Sequence, residues 1–308
     1  MQPVLSFLDR FGPPLARSQT GDEASPDVRR LAYWDWVTPS SDPSHAVVCV
    51  HGLSRQGRDF DNLARSLSEH VRVVCVDVPG RGRSDWLQDP MAYQFPAYVT
   101  DLMALLQALA AQGVTSFDWV GTSMGGVIGM LISAQPGLKI RRLVLNDVGP
   151  TIEPDALLRI GHYLGKAPSF ASLEEGAAYL WSISQSFGPH TPEQWMRLCE
   201  PMLRQEGERW VLHYDPAIAE PFKAHTASSA AQAARDGQVL LWQVYESLRL
   251  PVLLIRGADS DLLSQETAHR MAATGPQAKW VDIEGVGHAP TLTSAPQVAL
   301  VQAFLLSE

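Results

Sequence analysis

The segment Phe117-Asp-Trp-Val-Gly-Thr-Ser123-Met-Gly-Gly126 decides the fold. Its first four residues form a strand-like run, and the residues after Ser123 continue with the spacing of a helix. A strand that turns abruptly into a helix crowds the backbone, so small residues must flank the residue at its apex. The segment therefore predicts an exposed, nucleophilic Ser123. The alternative is a tight turn with an idle serine, because Gly-x-Ser-x-Gly is weak evidence by itself.

Strand and helix patterns alternate on both sides of this turn. The segment before residue 28 mixes Pro, Gly, Ser and charges and is expected to be an extended or irregular lead-in, not a domain. Predicted strands lie at 30–37, 46–50, 71–78, 117–120, 143–146, 252–255 and 279–283, and predicted helices at 59–69, 97–112, 124–134, 264–273 and 296–306. Such alternation indicates an α/β fold with a mostly parallel sheet and helices on both faces.

The alternation stops between residues 150 and 248, where helix-like segments follow one another without apolar β runs. A helical insertion in an α/β sheet is best interpreted as a cap over the carboxyl edge, where such folds bind ligands. We therefore expect a core formed by residues 1–149 and 249–308, with a helical cap at 150–248 inserted after the sixth strand.

A histidine motif follows the last predicted strand. Gly285-Val-Gly-His288 places His288 at the same sheet edge as Ser123. A nucleophilic serine needs a base with a pKa near neutrality, which histidine supplies without a large perturbation. His288 is therefore the predicted base. Six other histidines lack a motif: His70, His162, His190, His213, His225 and His269.

Two further motifs complete a resemblance to the α/β-hydrolase superfamily, in its capped type with a serine nucleophile. They are His51-Gly-Leu-Ser54 after run 46–50, and Asp77-Val-Pro-Gly-Arg-Gly-Arg-Ser84 after run 71–78. The resemblance implies an eight-stranded type of sheet and an oxyanion hole formed by the backbone N–H groups of Leu53 and Met124. It also implies that His51 and the Gly-rich turn are structural.

The acid of the triad has several candidates. The resemblance places it after strand 252–255, where Arg256-Gly-Ala-Asp-Ser-Asp261 carries two aspartates. A family variant, R-G-x-x-S-D-x-L-S, selects Asp261 over Asp259. Asp147, after strand 143–146, occupies a position that is rarer for the acid in relatives. The predicted triad is therefore Ser123, Asp261 and His288, with Asp259 and Asp147 as alternatives.

Composition narrows the function further. The 308 residues carry a formal net charge of −9, which disfavours nucleic acid and anionic membrane surfaces as partners. The three cysteines have no C-x-x-C spacing, so neither a disulfide framework nor a metal site is expected. No apolar run approaches the length of a membrane span, and the first residues lack a basic n-region. We expect a cytoplasmic monomer or small homo-oligomer without cofactor or metal.

The predicted reaction is hydrolysis of a small carboxylic ester through an acyl-enzyme. The resemblance also leaves open a lactonase, a carbon–carbon bond hydrolase, a hydroxyalkanoate-oligomer hydrolase, an acyltransferase or perhydrolase, and a non-catalytic receptor on the same fold. Haloalkane dehalogenases and related epoxide hydrolases carry aspartate at the position of Ser123, so this serine argues against both.

Overall fold

A computed structural model describes residues 2–11, 28–137, 139–223 and 227–307. Its strands are β1 (Val4–Phe11), β2 (Val28–Trp36), β3 (Asp42–Val50), β4 (Val71–Val76), β5 (Ser116–Thr122), β6 (Ile140–Asn146), β7 (Ser169–Phe170), β8 (Leu203–Glu206), β9 (Arg209–Leu212), β10 (Val252–Gly257) and β11 (Lys279–Ile283). Its α-helices are α1 (Asp61–Leu67), α2 (Phe95–Ala111), α3 (Met124–Ser133), α4 (Pro154–Tyr163), α5 (Leu173–Ile183), α6 (Pro192–Cys199), α7 (Glu220–Lys223), α8 (Ala227–Ser247), α9 (Gln265–Ala273) and α10 (Ala295–Leu305).

Eight strands form one sheet in the order β1-β2-β4-β3-β5-β6-β10-β11. The first two pairings are antiparallel, and every pairing from β4 to β11 is parallel. The predicted mostly parallel α/β sheet is therefore confirmed. The carboxyl ends of β3, β5, β6, β10 and β11 meet at one edge, so loops that are distant in sequence converge there.

Two apolar cores cover the two faces of this sheet. One core joins Val48 and Val74 to helices α2 and α3, and the other joins Val47 and Val73 to α1 and α10. Because successive side chains of a strand point to opposite faces, a strand buried on both faces must be apolar throughout. This requirement explains the continuous apolar run at the end of β3, which is fully buried.

The expected extended or irregular lead-in before residue 28 contains one regular strand. Residues 4–11 form edge strand β1, antiparallel to β2, while residues 12–27 lie outside the described residues. Arg10 and Arg29 of this hairpin both pair with buried Asp101 on α2, at 3.1 and 2.9 Å. An edge strand is only partly buried, so β1 lacks the continuous apolar run that identifies the central strands.

The segment between β6 and β10 contains helices α4 to α8 and also a small antiparallel sheet, ordered β7-β9-β8. The insertion was expected to be helical; it contains the helices and, in addition, these three short strands, which were not expected. The three strands have only two to four residues each, too few for a periodic pattern to develop. Within the described ranges, no helix combines the length and apolar character that crossing a bilayer requires.

Candidate active site

Ser123 stands between β5 and α3 in a strained backbone conformation, with φ 51° and ψ −117°. The neighbouring glycines make this turn possible. A Cβ on Gly121 would lie 2.3 Å from the Gly125 carbonyl oxygen, and a Cβ on Gly125 would lie 2.0 Å from the Val50 carbonyl oxygen. Only glycine fits either position, so Gly-x-Ser-x-Gly is here a steric requirement of the turn.

His288 lies beside this serine, in the loop that follows β11. Its Nε2 is 3.1 Å from Ser123 Oγ, within hydrogen-bond reach of a nucleophile and its base. The structure therefore brings together the two residues that the sequence predicted as nucleophile and base.

The carboxylate that faces His288 belongs to Asp147, not to Asp261. Asp147 Oδ2 lies 2.7 Å from His288 Nδ1, and the Asp147 side chain is fully buried. Since a carboxylate at this distance accepts a hydrogen bond, Nδ1 carries the proton and Nε2 can accept one from Ser123. The prediction of Asp261 as the partner of His288 was wrong, and so was the alternative Asp259.

The loop after β10 holds Asp147 in place. Asp147 Oδ1 accepts a hydrogen bond from the Gly257 backbone N–H at 2.8 Å, and Oδ2 accepts one from Ser260 Oγ at 2.7 Å. Arg256 shapes this loop by donating to the carbonyl oxygens of Ala258 and Leu263, at 3.1 and 2.7 Å. The motif Arg256-Gly-Ala-Asp-Ser-Asp261 was predicted to contain the acid of the triad. It instead contains the residues that bind Asp147.

Asp261 lies at the outer side of the same loop and forms a two-contact ion pair with Arg159 of α4, at 2.6 and 2.8 Å. Burial acts to raise the pKa of Asp261, but the hydrogen bonds and charge of Arg159 outweigh it and hold this pKa below its usual value. Asp259 is exposed to solvent.

The predicted oxyanion loop passes close to the nucleophile. A Cβ on Gly52 would lie 3.6 Å from Ser123 Cβ, and the Leu53 N–H donates to no group in the described part of the chain. Arg81, fully buried, fixes the loop by donating from Nε to the Leu53 carbonyl oxygen at 2.8 Å. Met124 is the first residue of α3, where backbone N–H groups have no partner within the helix.

His51 is a structural residue in this geometry. Its Nε2 accepts from the Val78 N–H at 3.0 Å, and its Nδ1 lies 2.7 Å from the Gly52 carbonyl oxygen. Burial lowers the pKa of His51 to about 3, so the ring is neutral. Both ring nitrogens therefore have partners other than Ser123.

The Gly-rich turn is structural as well. Asp77 accepts hydrogen bonds from the Gly57 and Arg83 backbone N–H groups and from Trp34 Nε1. Burial raises the pKa of Asp77 to about 6, and these hydrogen bonds oppose the shift. The Ser84 hydroxyl donates to the Asp77 carbonyl oxygen. These contacts fix the loop that carries Arg81.

Ser123 and His288 line a narrow cavity of about 70 Å³. One wall is apolar, and most of it comes from the segment between β6 and β10: Ile160, Leu180, Ile183, Phe187, Met202 and Leu212. Two arginines, Arg55 and Arg159, also line the cavity. Among the described residues, no group of three or more His, Cys, Asp or Glu side chains is arranged to hold a metal ion.

Comparison with known proteins places this fold and site in a family. Residues 47–303 match the model of the alpha/beta hydrolase family, so the chain belongs to that family. A solved alpha/beta hydrolase from Novosphingobium aromaticivorans superposes with a TM-score of 0.74 at 33% identity, over 97% of this chain and 98% of that one.

Two curated relatives are named as a hydrolase and an esterase. The 3-hydroxybutyrate-oligomer hydrolase of Cupriavidus necator is 46% identical over 90% of this chain and 93% of its own length. The pimeloyl-[acyl-carrier protein] methyl ester esterase of Xanthomonas campestris is 27% identical over 82% and 92%. The family and these relatives support an ester-cleaving serine hydrolase, the activity that the sequence predicted.

Proposed function

We propose that this protein hydrolyses the ester bonds of short hydroxy-acid oligomers, with 3-hydroxybutyrate oligomers as the first candidates. The observation that carries the proposal is the chain of contacts from Ser123 Oγ to His288 Nε2 and from His288 Nδ1 to Asp147, inside a small, largely apolar cavity. The relative from Cupriavidus necator supports the choice of substrate.

In the proposed first step, Ser123 Oγ attacks the ester carbonyl carbon while His288 Nε2 takes the hydroxyl proton. The resulting tetrahedral intermediate collapses, the bond from carbon to the alcohol oxygen breaks, and His288 returns the proton to that oxygen. Water, deprotonated by His288, then attacks the acyl-enzyme, and the released serine oxygen recovers the proton.

Asp147 has two roles in this proposal. It keeps the proton of neutral His288 on Nδ1, and it stabilises the imidazolium that forms during attack. The three hydrogen bonds around its carboxylate leave it little freedom to rotate. It therefore takes the place in the triad that the sequence interpretation assigned to Asp261.

The oxyanion donors in this proposal are the backbone N–H groups of Leu53 and Met124. The Gly52 loop lies close to Ser123, and the Leu53 N–H has no partner among the residues that the structure describes; both observations support this role. Removing one such donor from other acyl-transfer enzymes costs roughly 3 kcal/mol of transition-state stabilisation.

The size and lining of the cavity support a short acyl unit. Apolar side chains such as Leu180, Met202 and Leu212 suit the methyl and methylene groups of a hydroxybutyryl unit. The small size of the cavity, about 70 Å³, favours a short acyl unit over a long, extended acyl chain. We propose that the segment between β6 and β10 acts as a cap that sets this preference.

The proposal is tested with 3-hydroxybutyrate trimer as substrate, beside p-nitrophenyl esters of increasing acyl length, on wild type and on Ser123→Ala. We expect release of monomer and dimer from the trimer, a preference for short p-nitrophenyl esters, and loss of all turnover in Ser123→Ala with an unchanged melting temperature. Cleavage of p-nitrophenyl esters without any cleavage of the trimer would refute the proposed substrate. Turnover by Ser123→Ala would refute the mechanism.

We also propose that the enzyme acts in the cytoplasm as a monomer or small homo-oligomer, as the sequence analysis expects. Cell fractionation tests the location, and size-exclusion chromatography with light scattering tests the oligomeric state.

A further inference from the structure

We infer that Arg159 binds the free carboxylate at the acid end of the substrate, so that the enzyme selects oligoesters with a free acid over the same oligoesters in neutral form. This inference rests on the proposed function, because a hydroxy-acid oligomer carries one carboxylate at its end. Arg159 would then be a charged determinant of substrate specificity in a cavity whose remaining lining is largely apolar.

Arg159 occupies a suitable place for this role. It belongs to α4, in the segment that supplies most of the cavity lining, and it lines the same cavity as Ser123 and His288. A guanidinium presents two parallel N–H groups that match the two oxygens of a carboxylate. Asp261 now occupies these donors, which shows that Arg159 is oriented for two-point carboxylate binding.

The ion pair between Arg159 and Asp261 is open to exchange. Their side chains are 36% and 43% exposed, and exposed pairs of this kind contribute only about 0–1 kcal/mol. An incoming carboxylate can therefore replace Asp261, whose own carboxylate is then hydrated by water. Substrate binding exchanges one carboxylate partner for another, so no buried charge is left unpaired.

The other arginine in the cavity, Arg55, is not available in this way. Its Nε and Nη2 donate to Asp59 at 2.7 and 2.6 Å, and the two side chains are only 10% and 19% exposed. Separating this pair would leave Asp59 as a largely buried charge without its partner, which is costly. Its guanidinium also lies 5.6 Å from the centre of the Phe187 ring. Arg55 is therefore a fixed part of the wall.

The overall charge of the protein makes a local cation necessary for such a substrate. The formal net charge of −9 opposes the approach of an anion, since the field of the whole molecule acts on it. A carboxylate that enters a largely apolar cavity also loses hydration. A guanidinium at the cavity wall offsets both effects for a free acid and offers nothing comparable to a methyl ester.

The test compares kcat/KM for the 3-hydroxybutyrate dimer as free acid and as methyl ester, scored at the internal ester bond. Wild type is expected to prefer the free acid by about three- to tenfold, because the Arg159 side chain is 36% exposed and already has a carboxylate partner. In Arg159→Gln this preference should fall to near unity, through a higher KM for the free acid. Arg159→Lys should retain part of it, because the charge remains while the two-point geometry is lost.

Arg209→Gln is the matched control, because it removes one positive charge from the same segment at a residue that does not line the cavity. It should leave the preference unchanged. Asp261→Asn should raise kcat/KM for the free acid severalfold by removing the competing carboxylate. Melting temperatures show that each variant is folded.

The outcomes separate the two proposals. If wild type cleaves acid and methyl ester equally well, or if Arg159→Gln keeps the preference, this inference is overturned while oligomer hydrolysis stands. If wild type cleaves p-nitrophenyl butyrate but neither form of the dimer and no trimer, the proposed function fails and this inference falls with it.

Discussion

Asp147 and Asp261 both follow a strand of the parallel sheet, and β6 and β10, the two strands concerned, are neighbours. Asp147 is fully buried, receives three hydrogen bonds and faces His288. Asp261 is 43% exposed and pairs with Arg159 of α4. The comparison shows that the direction and burial of a carboxylate decide whether it can hydrogen-bond to the catalytic histidine. A position within a recognised motif does not decide this.

The loop that carries Asp261 nevertheless supports the site. Ser260 Oγ donates to Asp147 and accepts from the N–H groups of Leu262 and Leu263, at 3.2 and 3.1 Å. These contacts direct the Ser260 side chain toward Asp147, whereas the side chain of the next residue, Asp261, points toward Arg159. The motif in this loop therefore has a positioning function.

The largest effect is expected from Asp147→Asn. Asparagine tolerates the left-handed backbone of this position, where φ is 56°, so the fold should survive. Its amide cannot stabilise the imidazolium and favours the wrong histidine tautomer, which in serine proteases lowers kcat by about 10⁴-fold. Steady-state kinetics on p-nitrophenyl butyrate measures the loss, and circular dichroism checks the fold. An Asp147→Asn enzyme within tenfold of wild type, as a rough bound, would remove Asp147 from the triad.

The second prediction concerns the pH dependence of stability. It depends on His51, which is buried at the same edge of the sheet. The pKa of His51 in the folded protein, about 3, lies below its usual value of 6.5, so the unfolded chain takes up a proton first as the pH falls. Stability linked to His51 is therefore complete above pH 6.5 and is lost towards pH 3, by about 2 kcal/mol at about pH 5.

Urea unfolding at pH values of about 7.5 and 5 measures this loss in wild type and in His51→Gln. The variant should be less stable at the higher pH, because it lacks the ring contacts, but it should lose about 2 kcal/mol less on acidification. Parallel pH dependence in the two proteins would contradict a buried, neutral His51.

A smaller effect is expected from Ser260→Ala. The change removes one donor to Asp147 and leaves the Gly257 N–H and His288 in place, so kcat should fall by about tenfold with little change in KM. Ser264→Ala is the control, because Ser264 caps α9 in the same region without touching Asp147. It should lower the melting temperature and spare kcat. Equal kinetics in the two variants would show that Ser260 does not position Asp147.

The smallest effect is expected from Asp261→Asn on p-nitrophenyl butyrate, a neutral substrate. Since an exposed ion pair contributes little, kcat/KM should change by less than about threefold. A loss comparable to that of Asp147→Asn would restore Asp261 to the triad and reverse the comparison between the two loops.

Much of the fold follows from the sequence because its signals are local. The apolar runs at 46–50, 71–78 and 143–146 predict buried strands, and the structure places β3, β4 and β6 there. The turn at Ser123 is likewise predicted, since Gly121 and Gly125 are required by backbone contacts close by. Strand β1 and the small sheet of β7, β8 and β9 were not predicted, because short or exposed strands depend on partners elsewhere in the chain.

The sequence by itself determined that Ser123 stands at a strand-to-helix turn. It also determined that His288 lies in the loop after the last strand, at the same edge of the sheet. Both follow from local backbone geometry and from the alternation of strands and helices. Only the tertiary structure decided between Asp147 and Asp261. That choice depends on how the β10 loop folds over the end of β6, where Gly257 and Ser260 bind one carboxylate and leave the other to Arg159.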